Sequence, residues 1–337
     1  MKIFMIISAI LIILGLIICI AALASCGFDL GKSEKQTTEE FTIPKNIVNV
    51  DINTKGINSD VIIKKGTAEN ASLTLTHSEK IKLSYSVSDS VLKIESENNM
   101  RWYDHIFNHA KTRITLTLPE QDYENFTFNG TSGDISISDL NLKSLSIDNT
   151  SGDLTLKNLI VTENATVKTT SGDAEIDDIV AKSLEIKITT GDIEIKDAKL
   201  DETLKISTTT GELDAEEIEC ASLSLATTTG EIDLTDINVS GNATLESKSG
   251  SIEAVNARIL GKLSVDITSG DVELLDSDAS EIYIETTTGD VTASLLSKKN
   301  FKTEVTTGEM KVPDSDYNYG ICEIKTTTGD ILVTIVD

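Results

Sequence analysis

The sequence predicts an all-β protein: a right-handed β-solenoid, that is a single-stranded β-helix of about 20-residue coils, preceded by one N-terminal transmembrane helix. Three observations carry this expectation. A phrase of the type Thr-Thr-Gly-Asp returns at a nearly constant interval, apolar columns appear when the units are aligned on its glycine, and the N-terminus is one apolar run.

The phrase is Ser or Thr, then Gly, then Asp, Glu or Ser, with glycines at Gly133, Gly152, Gly172, Gly191, Gly211, Gly230, Gly250, Gly270, Gly289, Gly308 and Gly329. The intervals run from 19 to 21 residues, too short for helical repeats, which need roughly 33 or more. Seven residues before the glycine stand Leu145, Leu184, Leu204, Leu223, Leu263, Ile282 and Phe301, and five before it Ile147, Val167, Ile186, Ile206, Leu225, Leu245, Val265 and Ile284. Alternate positions share one face of a strand. Two and four residues after the glycine come pairs such as Ile135 with Ile137, Ile193 with Ile195 and Ile331 with Val333, which give a second inward stripe. A third column seven after it, Leu140, Leu159, Ile179, Ile218, Ile237 and Leu296, marks a short third side. Glycine at the corner supplies a positive φ. A string of antiparallel hairpins is the competing arrangement. It does not require identical columns along the whole chain, whereas a solenoid stacks each side chain on its equivalent ~4.8 Å away. Parallel crossovers set the expected right hand.

Residues 1–27 read as a membrane anchor. From Ile3 to Ala24 the run is apolar apart from Ser8, Gly15 and Cys19, long enough to cross a bilayer. Lys2 precedes it, while Asp29, Glu34, Glu39 and Glu40 follow, which places the N-terminus inside and the rest outside, as a single-pass protein of the cell membrane with an extracellular C-terminal domain. The alternative is a lipoprotein signal, because Leu23-Ala24-Ser25-Cys26 has the form of a lipobox in which Cys26 is acylated. Residues 28–45, polar and poor in apolar side chains, read as a linker.

Residues 46–130 contain strand patterns without the strict period and read as irregular coils that cap the N-terminal end. Ser59-Asp60-Val61-Ile62-Ile63 echoes the repeat phrase, so coils are expected to begin there. Residues 98–111 form the one aromatic-rich stretch, and Trp102, Tyr103 and Phe107 are its candidate partner contacts. Trp102, Ile106 and Ala110 suit a short covering helix. His105 and His109 have the spacing of two metal ligands but lack an identifiable third.

Residues 131–337 are the regular solenoid and finish in the strand-forming ILVTIVD with no capping segment after it. That edge is expected to be shielded by self-association or by a partner strand. Cys220 and Cys322 stand about five coils apart, roughly 24 Å at the strand spacing, and so cannot pair with each other. Cys322 occupies the column otherwise held by Leu and Ile, which makes it a small buried apolar residue.

The residue after each glycine is almost always acidic. Asp134, Asp153, Asp173, Asp192, Asp271, Asp290 and Asp330 are candidate Ca²⁺ ligands, and no other cofactor is indicated. The alternative is an Asx-type turn in which the carboxylate bonds nearby backbone N–H groups. A further ladder six after the glycine, including Asp139, Asn158 and Asp178, reads as another corner.

Formal charge of −26 excludes nucleic acid as a partner, since phosphate binding needs basic patches. Coils of constant length leave no insertion to wall a catalytic cleft. The repeats hold no His, and Arg258 is their only Arg, so no enzymatic activity is expected.

The columns, the passage RITLTLPEQDYENFTFNGTSGDISI and the anchor ending in CGFDLGK together resemble a bacterial "putative adhesin" family of unknown function, β-strand repeat proteins common in the envelopes of Gram-positive bacteria. The likeness covers about residues 45 to 337. It implies a right-handed β-solenoid at the cell surface, with some relatives linked to envelope-stress operons, and it transfers no catalytic residues. The expected function is a membrane-anchored extracellular module, binding or structural, whose ligand is an envelope protein or glycan. The alternative is an accessory protein of an envelope-stress signalling system that senses or sequesters an envelope ligand.

Overall fold

The computed structural model describes residues 36–78, 81–98 and 112–336, together with Gly15, Ile17, Ile18, Ile20 and Ala21, which are helical. Among the described residues no helix is long and apolar enough to cross a membrane, and most of the expected anchor, including Cys26, lies outside them.

The repeat builds a β-solenoid of parallel strands. The column two after the glycine runs in unbroken register, Ile135 on Leu154, Leu154 on Ala174, Ala174 on Ile193 and onward to Val272 on Val291. The column seven before it runs from Leu145 on Ala165 to Leu263 on Ile282, and every member is buried. These stacked aliphatic side chains form one continuous core and supply the main driving force for folding.

Two corners divide each coil. At the first, the glycine has positive φ and its Cα lies against the previous coil. A Cβ on Gly211, at φ +148°, would meet the Gly191 carbonyl oxygen at 1.9 Å. Glycine is therefore required by close stacking as well as by φ.

At the second corner the residue six after the glycine is left-handed, with φ between 48° and 60° at Asp139, Asn158, Asp178, Asp197, Glu217, Asp236, Asn256 and Asp276. Seven of these eight are Asp or Asn, the non-glycine side chains that best tolerate this region, and Glu217 is the exception. One left-handed residue resets the alternation, so the inward positions change from two and four to seven and nine: Leu140 with Leu142, Ile179 with Ala181, Ile218 with Cys220. That is the short third side. After Gly289 no such residue occurs. Alternation continues there, Leu295 is buried, and Leu296, expected in the inward column, is 36% exposed.

The N-terminal end is closed by a reordered segment. The strands are β1 (Gln36–Ile43), β2 (Asn49–Lys65), β3 (Ala71–Ser78), β4 (Ile81–Ser88), β5 (Val91–Asn98), β6 (Thr112–Leu118), β7 (Asp122–Ser132) and β8 (Ile135–Ser151). β2 is a full coil, with Val50 on Phe126 and Val61 on Ile135, so the first coil contains Ser59-Asp60-Val61 but starts ahead of it, at Asn49. Along its other edge run β5 and β6, parallel to it. β4 then pairs antiparallel with β5, β3 with β6, and β1 with β3. The expected linker 28–45 thus ends in a strand. β1 buries only Ile43 and half of Phe41, whose ring lies 4.6 Å from that of Tyr85, so it needs no apolar stripe. The segment joining β5 to β6 contains Trp102, Tyr103, His105, Phe107 and His109, all outside the described residues.

At the C-terminal end the last coil in sequence is not the outermost in space. The last coil, strands Ile321–Thr328 and Ile331–Ile335, is sandwiched between the coil of Gly289 and the coil of Gly308. Ile324 pairs with Ile284 on one side and Thr303 on the other. Ile331 and Leu332 are consequently paired on both sides, while Val333, Thr334 and Ile335 pair only with Ala293, Ser294 and Leu295, and Val333 is 3% exposed. The terminal coil in space is Asn300–Thr307 with Met310–Lys311. It carries Thr303 five before its glycine, where interior coils place Ile, Val or Leu, and Met310 is 54% exposed.

Candidate functional site

The second side of the solenoid is acidic along its length. Its outward positions are those one and three after the glycine. The first holds the expected Asp column. Each carboxylate accepts from the backbone of the following coil: Asp153 N donates to Asp134 Oδ1 (3.1 Å), Asp173 N to Asp153 Oδ1 (3.0 Å), Asp192 N to Asp173 Oδ1 (2.9 Å), Asp290 N to Asp271 Oδ1 (2.8 Å) and Asp330 N to Asp290 Oδ1 (2.8 Å). The ladder starts in β2, where Asp60 Oδ1 accepts from Asp134 N. The seven candidate Ca²⁺ ligands are thus exposed but committed through one oxygen to tying coils together. The bond reaches the neighbouring coil rather than the residue's own turn.

The second outward column escaped the sequence reading. Glu175, Glu194, Asp214, Asp233, Glu253 and Glu273 stack in direct register over six coils. The signal was present three residues after the six glycines from Gly172 to Gly270, but alignment for apolar columns passes over it. Together the two columns line a shallow groove of about 450 Å³ from Asp153 to Asp214.

The ladder is interrupted where glutamate replaces aspartate. Glu212 N still donates to Asp192 Oδ1 (2.9 Å). The longer Glu212 side chain instead hydrogen-bonds Asp233 across the columns. Oxygens of Glu212, Asp214 and Asp233 all lie within 4.8 Å of one another. Burial, then the charge of neighbouring carboxylates, raises all three above the ordinary carboxylate range. Three converging carboxylate oxygens are hard donors of the kind a Ca²⁺-class cation takes, though only part of the about six to eight it needs, and this trio includes none of the seven Asp residues singled out from sequence.

The inward position three before the glycine is polar in most coils, with Ile188 and Ile267 as apolar members, a pattern that the outward Thr column two before it concealed. Asn149, Thr208, Thr227, Ser247 and Thr326 are buried there. Asn149 Nδ2 donates to the Gly133 carbonyl (3.1 Å) and Thr326 Oγ1 to that of Gly289 (3.2 Å), so this column braces the glycine corner.

On the third side a groove of about 530 Å³ runs past Val180, Lys199, Glu219, Asn238, Arg258 and Leu260. Arg258 spends its guanidinium on the backbone carbonyls of Ala257 and Asp276. Cys220 and Cys322 are buried free thiols, pushed up by burial to about 11 and about 12 respectively.

The family model of the Toastrack DUF4097 domain matches residues 47–203 and again residues 196–334. A comparison with curated proteins gave no match. Among solved structures, the chain is similar to a "putative adhesin" from Bacteroides fragilis NCTC 9343, at 14% identity over 90% of this chain and 98% of that one, with a TM-score of 0.35. It is similar to a "putative cell adhesion protein" from Clostridium sporogenes ATCC 15579 at 12% identity, over 90% and 100% of the two chains, with a TM-score of 0.18. A "putative adhesin" from Parabacteroides distasonis ATCC 8503 shares 8% identity over 88% and 98%, with a TM-score of 0.35. At TM-scores this low the likeness adds nothing to the architecture, which rests on strand register.

Proposed function

The chain belongs to the Toastrack DUF4097 family, and from that membership together with its acidic side we propose that it is a membrane-anchored, extracellular binding module of the bacterial envelope, adhesin-like and non-catalytic. The observation that carries this reading is the pair of carboxylate columns in register on one side of the solenoid. Such a surface is polyvalent by construction. Charges repeating every ~4.8 Å repel one another unless solvated or bridged, so divalent cations at Glu212, Asp214 and Asp233 would both relieve the repulsion and join the side to an anionic envelope polymer such as a wall glycan.

The test is calorimetric titration of Ca²⁺ into the full-length chain in detergent, beside a Glu212→Gln/Asp214→Asn/Asp233→Asn variant. Heat and a raised melting temperature in the parent, lost in the variant, support the reading. Equal titration of both chains, or no heat in either, removes cation bridging from it.

A further inference from the structure

The inserted last coil has a property that the rest of the solenoid lacks. The coils from Gly152 to Gly270 are each continuous in the chain with the coils stacked on both sides. The last coil follows the outer coil through residues 312–320, nine residues without helix or strand. Both walls of its slot, Val272–Thr288 with Val291–Leu295 and Asn300–Thr307 with Met310–Lys311, are made by earlier parts of the chain. Its inward side chains Cys322, Ile324, Ile331 and Val333 are each at most 3% exposed, so an empty slot leaves an apolar gap that fits a coil of this period and register.

We propose that this coil is exchanged between two copies of the chain, residues 321–335 of each filling the slot of the other in a reciprocal dimer. The occupant is a second copy because its coil makes the same contacts as the chain's own, which is the condition for low-cost exchange.

Three further observations favour it. The root of the outer wall is pinned to the body independently of the last coil. Lys299 is 4% exposed, and its Nζ lies 2.7 Å from Asp278 Oδ1 and 2.5 Å from the Ala279 carbonyl. The hinge is exposed at Tyr317 (84%) and Tyr319 (49%), and few bonds tie it down: Asp316 N to the Lys299 carbonyl, Asn300 N to that of Gly320, and Ser315 Oγ to Phe301.

Reach is also sufficient. Nine residues extend to ~30 Å, while passing two abutting end coils into the partner's slot spans about three strand spacings, ~15 Å. In that end-to-end arrangement the exposed Met310 and the outer edge of Asn300–Thr307, which no strand pairs among the described residues, face their equivalents and are covered.

Lys302 and Glu323 are register partners across the slot. They belong to the same chain when the coil sits at home and to different chains after exchange. Ordinary and ¹⁵N-labelled full-length chains, unfolded and refolded together in detergent, are linked by a zero-length carbodiimide and digested. Exchange predicts mixed-isotope Lys302–Glu323 peptides, approaching the about one-half that random pairing of an equal mixture gives. Single-isotope Lys302–Glu323 peptides alone overturn it. So do mixed-isotope links found elsewhere but never at this pair, which indicate end-to-end contact without exchange. The readout does not involve the acidic side, so it stands or falls apart from the cation reading.

Discussion

Gly308 precedes Gly329 in the chain yet stacks outside it. A Cβ on Gly329 would meet the Gly289 carbonyl oxygen at 2.0 Å, and a Cβ on Gly308 would meet that of Gly329 at 2.0 Å, so the spatial order is 289, 329, 308. Interior and outer glycines should therefore differ in their tolerance of a side chain. Gly211→Ala meets a backbone oxygen at 1.9 Å in a coil held from both sides, and is expected to cost more than about 3 kcal/mol. Gly308→Ala lies in a coil free to shift outward and should cost less than half of that, as read by paired thermal melts.

The same order sets the cost of truncations. Ile324 is fully buried between Ile284 and Thr303, and Ile324→Ala should lose about 2 to 5 kcal/mol. Val305, half-exposed on the outer coil, should lose below about 1 kcal/mol when cut to Ala. If the outer coil were the interior one, chemical denaturation would rank them the other way.

The raised carboxylates give a pH dependence of definite sign. Glu212, Asp214 and Asp233 bind protons more readily folded than unfolded. Between their ordinary and raised values the native state holds more protons, so stability rises as pH falls into that window and is lost as pH rises through the folded values. Melting temperature should therefore climb from about pH 7 toward about pH 5 more in the parent than in Glu212→Gln/Asp233→Asn. A parallel course of the two chains would remove this cluster as the source.

Two thiols report on two different openings. With Cys220 and Cys322 raised to about 11 and about 12, neither is a thiolate in the folded state near neutral pH. Alkylation of Cys322 should follow departure of the last coil and run faster than that of Cys220, which waits for the middle of the solenoid to open. Equal rates, measured by mass spectrometry of the modified peptides, would mean that the last coil opens only with the whole.

At the other terminus, the chain isolated from membranes should retain residues 1–27 and resist alkaline extraction. A start at Cys26 carrying a lipid mass would instead identify a lipoprotein.

The period, the glycine corner, the second corner and the three inward stripes were legible because each repeats at a fixed offset. The order of the last two coils was not, because coils of equal period can stack in either order without disturbing any column. One residue did mark the outer coil: Thr303, polar where Ile324 and its equivalents are aliphatic. β1 was hidden for the opposite reason, since an outermost strand that buries little has no pattern to show. The carboxylates at Asp214 and Asp233 were legible in principle but lay in a column that the apolar alignment does not score, and their convergence on Glu212 needed the extra methylene of a glutamate seen in place.

The antiparallel strands at one end and the interleaved coil at the other act as end fittings, and this bears on how such a chain changes length over generations. A copy of the last repeat appended to the C-terminus would find no free neighbour in register, because the coil it duplicates is already enclosed. A copy inserted between Gly152 and Gly270 would meet the same partners above and below as the unit it copies. Tandem duplication is therefore expected to lengthen these proteins from the middle, in steps of one strand spacing, ~4.8 Å, with both fittings carried along unchanged.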